Sequence, residues 1–202
     1  ALWVARNKAL RADGPFKGVE KEGLFKAMKH YGYEGLAILV SERGHYSLKK
    51  AADVLGIGQE GLVAVKTDAN NRIIVSDLKV KIAELESQNI KPIAVVGVAG
   101  TTETGSVDPL AQIAEVCSER HCHFHVDAAW GGATLMSNNH RYLLDGIELA
   151  DSVTIDAHKQ LYIPMGAGMV LFRDPDAMRS VEHHAQYILR KGSKDLGSHT
   201  LE

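Results

Sequence analysis

The strongest constraint on this chain is a set of short runs that are apolar at nearly every position. Residues 36–40 (LAILV) and 93–98 (IAVVGV) are continuously apolar, too short for helices, and bounded by turn-forming residues. A strand with no polar face must be covered on both sides, which is the mark of a parallel sheet between helical layers. Further strand-length runs at 62–65, 123–126, 152–155 and 169–172 alternate with stretches of helical spacing at 1–12, 22–30, 47–55 and 140–147. Ser76 is expected to cap a helix whose Leu78, Ile82 and Leu85 share a face, and Asp108, with Pro109 at the first helical position, to cap another through Ile113 and Val116. Asn70 and Asn71 mark a turn before 73–75, and Pro92 is expected to close the connection before the 93–98 strand. Strands alternating with helices predict an α/β fold, a three-layer α/β/α arrangement with a mostly parallel sheet. At 202 residues and 45% hydrophobic, the chain supplies one domain core.

Charge and composition narrow the partners. A net charge of -2 and a pI near 6.6 offer no electrostatic case for nucleic acid or a membrane surface. No apolar run approaches the roughly 20 residues that span a bilayer, and no basic segment followed by an apolar one opens the chain. Cys117 and Cys122 fit reduced thiols better than a disulfide framework, so a cytoplasmic protein is expected. The first helix begins with no capping residue before Ala1, and GSKDLGSHTLE is a polar closing stretch. Both ends predict a piece of a larger protein.

Chemistry concentrates after the strands. Residues 152–155 are followed by a polar break carrying Asp156, His158 and Lys159, then by Gly166, Gly168 and the 169–172 run. A lysine held between two strands loses hydration unless its amine pairs with an acid or does chemistry. The chemistry that suits it is an imine with an aldehyde, because burial or neighbouring cations favour the nucleophilic amine; the other reading is a surface-loop lysine. Upstream, the 123–126 run ends in Asp127, followed by Ala128, Ala129, Gly131 and Gly132. Small residues there are expected to let a flat ligand approach the backbone. A carboxylate at a strand's C-terminal end lies where open α/β sheets bind ligands. A lysine for an aldehyde and an aspartate for a pyridinium nitrogen are together the two protein groups that pyridoxal 5'-phosphate needs.

Four stretches, GHYSLKKAADVLGIG, AGTTETGSVDP, HVDAAWGG and DAHKQ, resemble in order and spacing those of the group II pyridoxal-phosphate-dependent amino acid decarboxylases, the family of glutamate, aromatic amino acid and diaminobutyrate decarboxylases. The resemblance implies a fold type I, transferase-like large domain over residues 1–180, with 181–202 forming a helix and the start of a mobile catalytic loop. It implies that Lys159 carries the cofactor and that His158 makes a phosphate or ring-positioning contact. Asp127 would keep the ring nitrogen protonated, Ala129 would lie under one ring face, and His45 would stack on the other. Thr102 would sit near the cofactor and the substrate carboxylate. Lys159, Asp127 and His45 are thus the expected catalytic residues. Asp156 departs from the asparagine often found at its place, so that residue's phosphate contact is not carried over to a carboxylate.

The implied reaction is α-decarboxylation of a small-molecule L-amino acid. DAHKQLYIPMGAGMVLF resembles bacterial members that act on glutamate or aspartate. The family builds its site across a homodimer and grips the phosphate with a Gly-Gly-Thr motif that would precede Ala1. The 202-residue piece alone is therefore expected to turn over poorly. Two alternatives stand beside this: another fold type I enzyme, aminotransferase or desulfurase-like, and a catalytically silent module of the same fold. A zinc site at Cys117, His121, Cys122, His123 and His125 is disfavoured, because strand alternation sends His123 and His125 to one face and Phe124 to the other. No metal is expected. GVAGTTETG lacks the lysine-containing end of a phosphate loop, and GIGQEG lacks dinucleotide-loop spacing. His183, His184 and Tyr187 are either a catalytic cluster or the start of a helix toward a partner subunit.

Overall fold

A computed structural model describes residues 1–182; the readings of His183, His184, Tyr187 and the closing stretch lie outside the described residues. Six strands form one sheet: β1 (Gly35–Ser41), β2 (Leu62–Val65), β3 (Ile90–Val98), β4 (His123–Asp127), β5 (Ser152–Asp156) and β6 (Gly168–Phe172). Their spatial order is β2-β1-β3-β4-β5-β6, parallel except for β6, which runs antiparallel to β5. Helices α1 (Leu2–Ala9), α2 (Val19–Glu22), α3 (Leu24–Tyr31) and α4 (Ser47–Val54) lie on one face, and α5 (Val75–Ser87) and α6 (Leu110–Arg120) on the other.

Alternation along the central strands explains the two helical layers. Ile38, Val40, Ala94 and Val96 pack with Leu2, Ala5, Leu48 and Ala52, whereas Leu39 and Val95 pack with Leu78, Ile82, Leu110 and Ile113. Both faces of β1 and β3 are therefore core, as their unbroken apolar sequences require. The expected α/β/α layering is the observed one.

Local departures each have a physical cause. Pro92 lies inside β3, where the register jumps from Ala37 opposite Pro92 to Ile38 opposite Ala94. Such a bulge is where a sheet tolerates a residue with no N–H. Ser76 is not the cap of α5, which starts at Val75 after Ile74; Asp77 in its first turn accepts the Lys66 N–H at 2.9 Å instead. Asp108 does not cap α6 either. Its carboxylate, 4% exposed, accepts the Ile73 N–H at 2.7 Å and the Val98 N–H at 2.8 Å, tying the loop after β2 to the end of β3. Burial raises the pKa of this carboxyl, while the two donors oppose that shift. The helix expected at 140–147 is replaced by short 3-10 turns at Arg141–Leu144 and Ile147–Leu149. Gly146, at φ 96°, separates them, and its α-carbon lies so close to the Ala111 backbone that no side chain fits.

The topology places the site. From β1 the chain moves outward to β2, and α5 then carries it back across β1 to β3 and on to β4 and β5. The winding direction reverses between β1 and β3, and ligands of open α/β sheets bind at the carboxyl ends of strands beside such a reversal.

Candidate functional site

A cleft of about 220 Å³ opens at that carboxyl edge, with Arg43, His45, Thr102, Asp127, Ala129 and Lys159 in its lining. They come from the ends of four strands, β1, β3, β4 and β5, or from the turns that follow them. His45 follows β1, and its Nδ1 lies 2.7 Å from the Ser47 hydroxyl at the start of α4. Thr102 sits in the loop after β3, which is stapled by the Thr101–Thr104 (2.7 Å) and Thr104–Ser106 (2.6 Å) hydroxyl contacts. Asp127 ends β4, in register with Val98 and Thr154, and its Oδ1 accepts the Ala129 N–H at 3.2 Å. Its other oxygen has no hydrogen-bond partner among the described residues.

Lys159 lies in the loop joining β5 to β6, with its side chain 32% exposed and Nζ 2.9 Å from Asp156 Oδ2. His158 is not in the cleft lining. Its Nδ1–H donates to the Ala167 carbonyl at 2.8 Å, and its Nε2 lies 3.7 Å from the same Asp156 oxygen. Asp156 thus stands between the lysine and the histidine as their shared carboxylate. Sequence adjacency alone does not signal this pairing.

The two glycines after Asp127 have a different task from the one their sequence suggests. Gly131 tucks beneath the Ala99 carbonyl, to which its N–H donates at 3.1 Å, and a side-chain carbon on Gly132 would come within 2.8 Å of Ile155. Both open space for protein packing rather than for a ligand. Ala129 is the small residue that does line the cleft.

Below the cleft runs a buried polar chain. His125 lines the floor and donates from Nδ1 to the Ser152 carbonyl at 3.1 Å, while its Nε2 lies 3.3 Å from the Thr154 hydroxyl. Ser152 Oγ also meets His123 Nε2 at 2.7 Å, and among the described residues His123 Nδ1 has no hydrogen-bond partner. Phe124, between the two histidines, packs on the opposite face against the α6 side. Of the other residues in the rival zinc reading, His121 is the left-handed residue that ends α6, and Cys117 and Cys122 are free, buried thiols.

Burial pushes His125 down to about 3 and His123 to about 4, with Asp151 partly opposing the latter shift. Both folded values lie below that of an unfolded histidine. Unfolded chains therefore take up protons first as pH falls, and stability that is complete above about pH 6.5 drains away through pH 4 and below. The midpoint of thermal unfolding should fall steadily from pH 6.5 to 4.5, with His125 contributing roughly 3 kcal/mol by the lower pH. The variant His125→Asn should flatten that fall; a midpoint independent of pH over this range would contradict the account.

The site can be tested against a cofactor by its own groups. A lysine amine already held by a carboxylate, a strand-end carboxylate with one uncommitted oxygen, an imidazole and a small residue fit an aldehyde, a protonated ring nitrogen and a flat ring. Pyridoxal phosphate combines those features. The layered sheet that carries them is that of a fold type I pyridoxal-phosphate protein. The chain belongs to the pyridoxal-dependent decarboxylase family, whose conserved domain matches residues 17–202. It is 71% identical over all 202 residues to an aspartate 1-decarboxylase of Aliivibrio fischeri, covering 37% of that protein. It is 42% identical over 151 residues to the cysteine sulfinic acid decarboxylase of Mus musculus, which spans 75% of this chain and 31% of the mouse protein. Among solved structures it resembles mouse CSAD, with a TM-score of 0.79, 37% identity and coverage of 89% of this chain and 36% of that one. The glutamate decarboxylase domain of a Vibrio parahaemolyticus diaminobutyrate-pyruvate transaminase and L-2,4-diaminobutyrate decarboxylase gives a TM-score of 0.81, at 30% identity and with 89% and 38% covered. The chain spans about a third of the length of these relatives.

Proposed function

We propose that this chain forms the cofactor side of a pyridoxal-phosphate-dependent decarboxylase that removes the α-carboxylate of an acidic L-amino acid, aspartate or glutamate. The observation that carries the reading is the meeting of Lys159 and Asp127 in one cleft at the carboxyl edge of the sheet. The 71% identity to an aspartate 1-decarboxylase supports the substrate class.

Bound there, the cofactor supplies an electron sink for the pair left on the α-carbon when carbon dioxide departs. Lys159 Nζ would hold the cofactor, its amine being the group that bonds the aldehyde. Asp127, with its uncommitted oxygen, keeps a proton on the ring nitrogen. His45 and Ala129 would hold the flat ring, and the Thr102 hydroxyl would serve the substrate carboxylate as donor or acceptor. His158, bonded to the Ala167 carbonyl, steadies the Lys159 loop and reaches the cofactor's surroundings through Asp156.

Residues 1–180 constitute the cofactor-binding large domain in this reading. The working protein is a homodimer, a state supported by the exposed Tyr162, Ile163 and Met165 beside the Lys159 loop. Free, buried Cys117 and Cys122 support a cytoplasmic setting.

Incubation of the cofactor-loaded protein, in a chain of the relatives' full length, with aspartate or glutamate should release carbon dioxide and the corresponding amine in equal amounts. Formation of a keto acid without carbon dioxide would replace this reading with an aminotransferase.

A further inference from the structure

Arg43 and Lys159 are the two basic side chains in the cleft lining, and they are placed differently. Lys159 is already held by Asp156 at 2.9 Å. Among the described residues, the Arg43 guanidinium is engaged at one corner, by Glu103 at 3.1 Å through Nη1. A guanidinium has five N–H donors in a planar fork, so this contact leaves enough of them for a second carboxylate.

Both ends of the Arg43–Glu103 pair stand on braced turns. The Arg43 N–H donates to Ser41 Oγ at 2.9 Å, and Gly44 closes the same turn by donating to the Ser41 carbonyl at 2.7 Å. Glu103 lies between Thr102 and Thr104 in the hydroxyl-stapled loop after β3. The pair therefore bridges the two loops that flank the reversal between β1 and β3, and it sets the guanidinium at the mouth of the cleft. Its exposure, 41% for the Arg43 side chain and 71% for that of Glu103, makes the pair a weak contributor to stability and leaves the arginine within reach of a ligand.

Charge bookkeeping then asks which carboxylate the arginine serves. The cleft already contains Asp127 and Asp156, which repel an acidic substrate unless a cation offsets them. A carboxylate that leaves as neutral carbon dioxide loses its charge in the transition state, so a cation pressed against it stabilises the ground state more and slows its departure. A side-chain carboxylate keeps its charge throughout and can be gripped at no cost to the rate. We infer that Arg43, tethered by Glu103, is the residue that recognises the side-chain carboxylate of the substrate and so selects acidic amino acids. The inference rests on the decarboxylase reading above and names the selecting residue within it.

The test compares Arg43→Gln and Arg43→Lys with the unaltered, cofactor-loaded protein. The ratio of kcat/KM for aspartate to that for alanine should fall on the order of 10- to 100-fold in Arg43→Gln, the range for losing a hydrogen bond to a charged group. Arg43→Lys should recover part of it, since it keeps the charge but loses the fork. Calorimetric binding should show succinate weakened by a similar factor in Arg43→Gln and propionate unchanged, while absorbance shows the same cofactor content. An unchanged ratio, or equal weakening of succinate and propionate, would overturn the inference. If no amino acid is decarboxylated even by a chain of the relatives' full length, the reaction reading falls, and the succinate and propionate titrations still decide the role of Arg43.

Discussion

Replacing Lys159 with alanine should abolish covalent attachment of pyridoxal phosphate and lower decarboxylation by about 10⁴-fold or more, the scale seen when a covalent catalyst loses its nucleophile. The amine is the group in the cleft lining that can bond an aldehyde, and Asp156 Oδ2, 2.9 Å away, holds it in place while the cofactor is absent. The fold should survive. Lys159 is part-exposed in a loop, and an ion pair of that exposure contributes only about 0–1 kcal/mol. Borohydride treatment of the cofactor-loaded protein, followed by peptide mapping, should mark Lys159 and no other lysine. A stable label on a different lysine, or full labelling of Lys159→Ala, would remove the residue from this role.

Asp127→Asn should separate cofactor retention from chemistry. The amide oxygen still accepts the Ala129 N–H, so the turn that leads from β4 into the glycines keeps its contact. What disappears is the negative charge that favours a protonated ring nitrogen. The rate should fall by about 10²- to 10³-fold, the usual effect of removing one preorganised electrostatic group. Cofactor content after gel filtration should fall far less. Parallel loss of both quantities would instead make Asp127 a structural cap.

The sheet was legible because burial on two faces leaves no choice of residue: 36–40 read as a fully buried strand and 93–98 as a central one, and β1 and β3 are both interior strands. Asp127 and Lys159 stood out because each follows a strand, whereas His45 and Thr102 were implied only by the family resemblance; a parallel sheet brings the ends of all four strands to one edge. Partners distant in sequence were not. Asp108 has the local look of a helix cap, and only the folded chain brings the Ile73 and Val98 amides to its two oxygens. The stretch 140–147 has helical spacing, but contact between Gly146 and Ala111 is a tertiary demand that overrides it. Arg43 carried no signal, since an arginine after a strand reads as a solvated turn until Glu103, sixty residues on, is seen against it.

The strand order has a consequence for how the protein is made. The cleft draws on residues from 43 to 159, delivered by four strands, of which β1 and β3 lie side by side without being neighbours in sequence. Contacts of such long sequence separation form slowly, because loop-closure entropy must be met before the contacts reward it. No contiguous segment of the newly made chain assembles the lysine, the aspartate and the histidine before β3, β4 and β5 have docked in register. Capture of pyridoxal phosphate by all of these groups together therefore waits until the sheet is joined from β1 to β5.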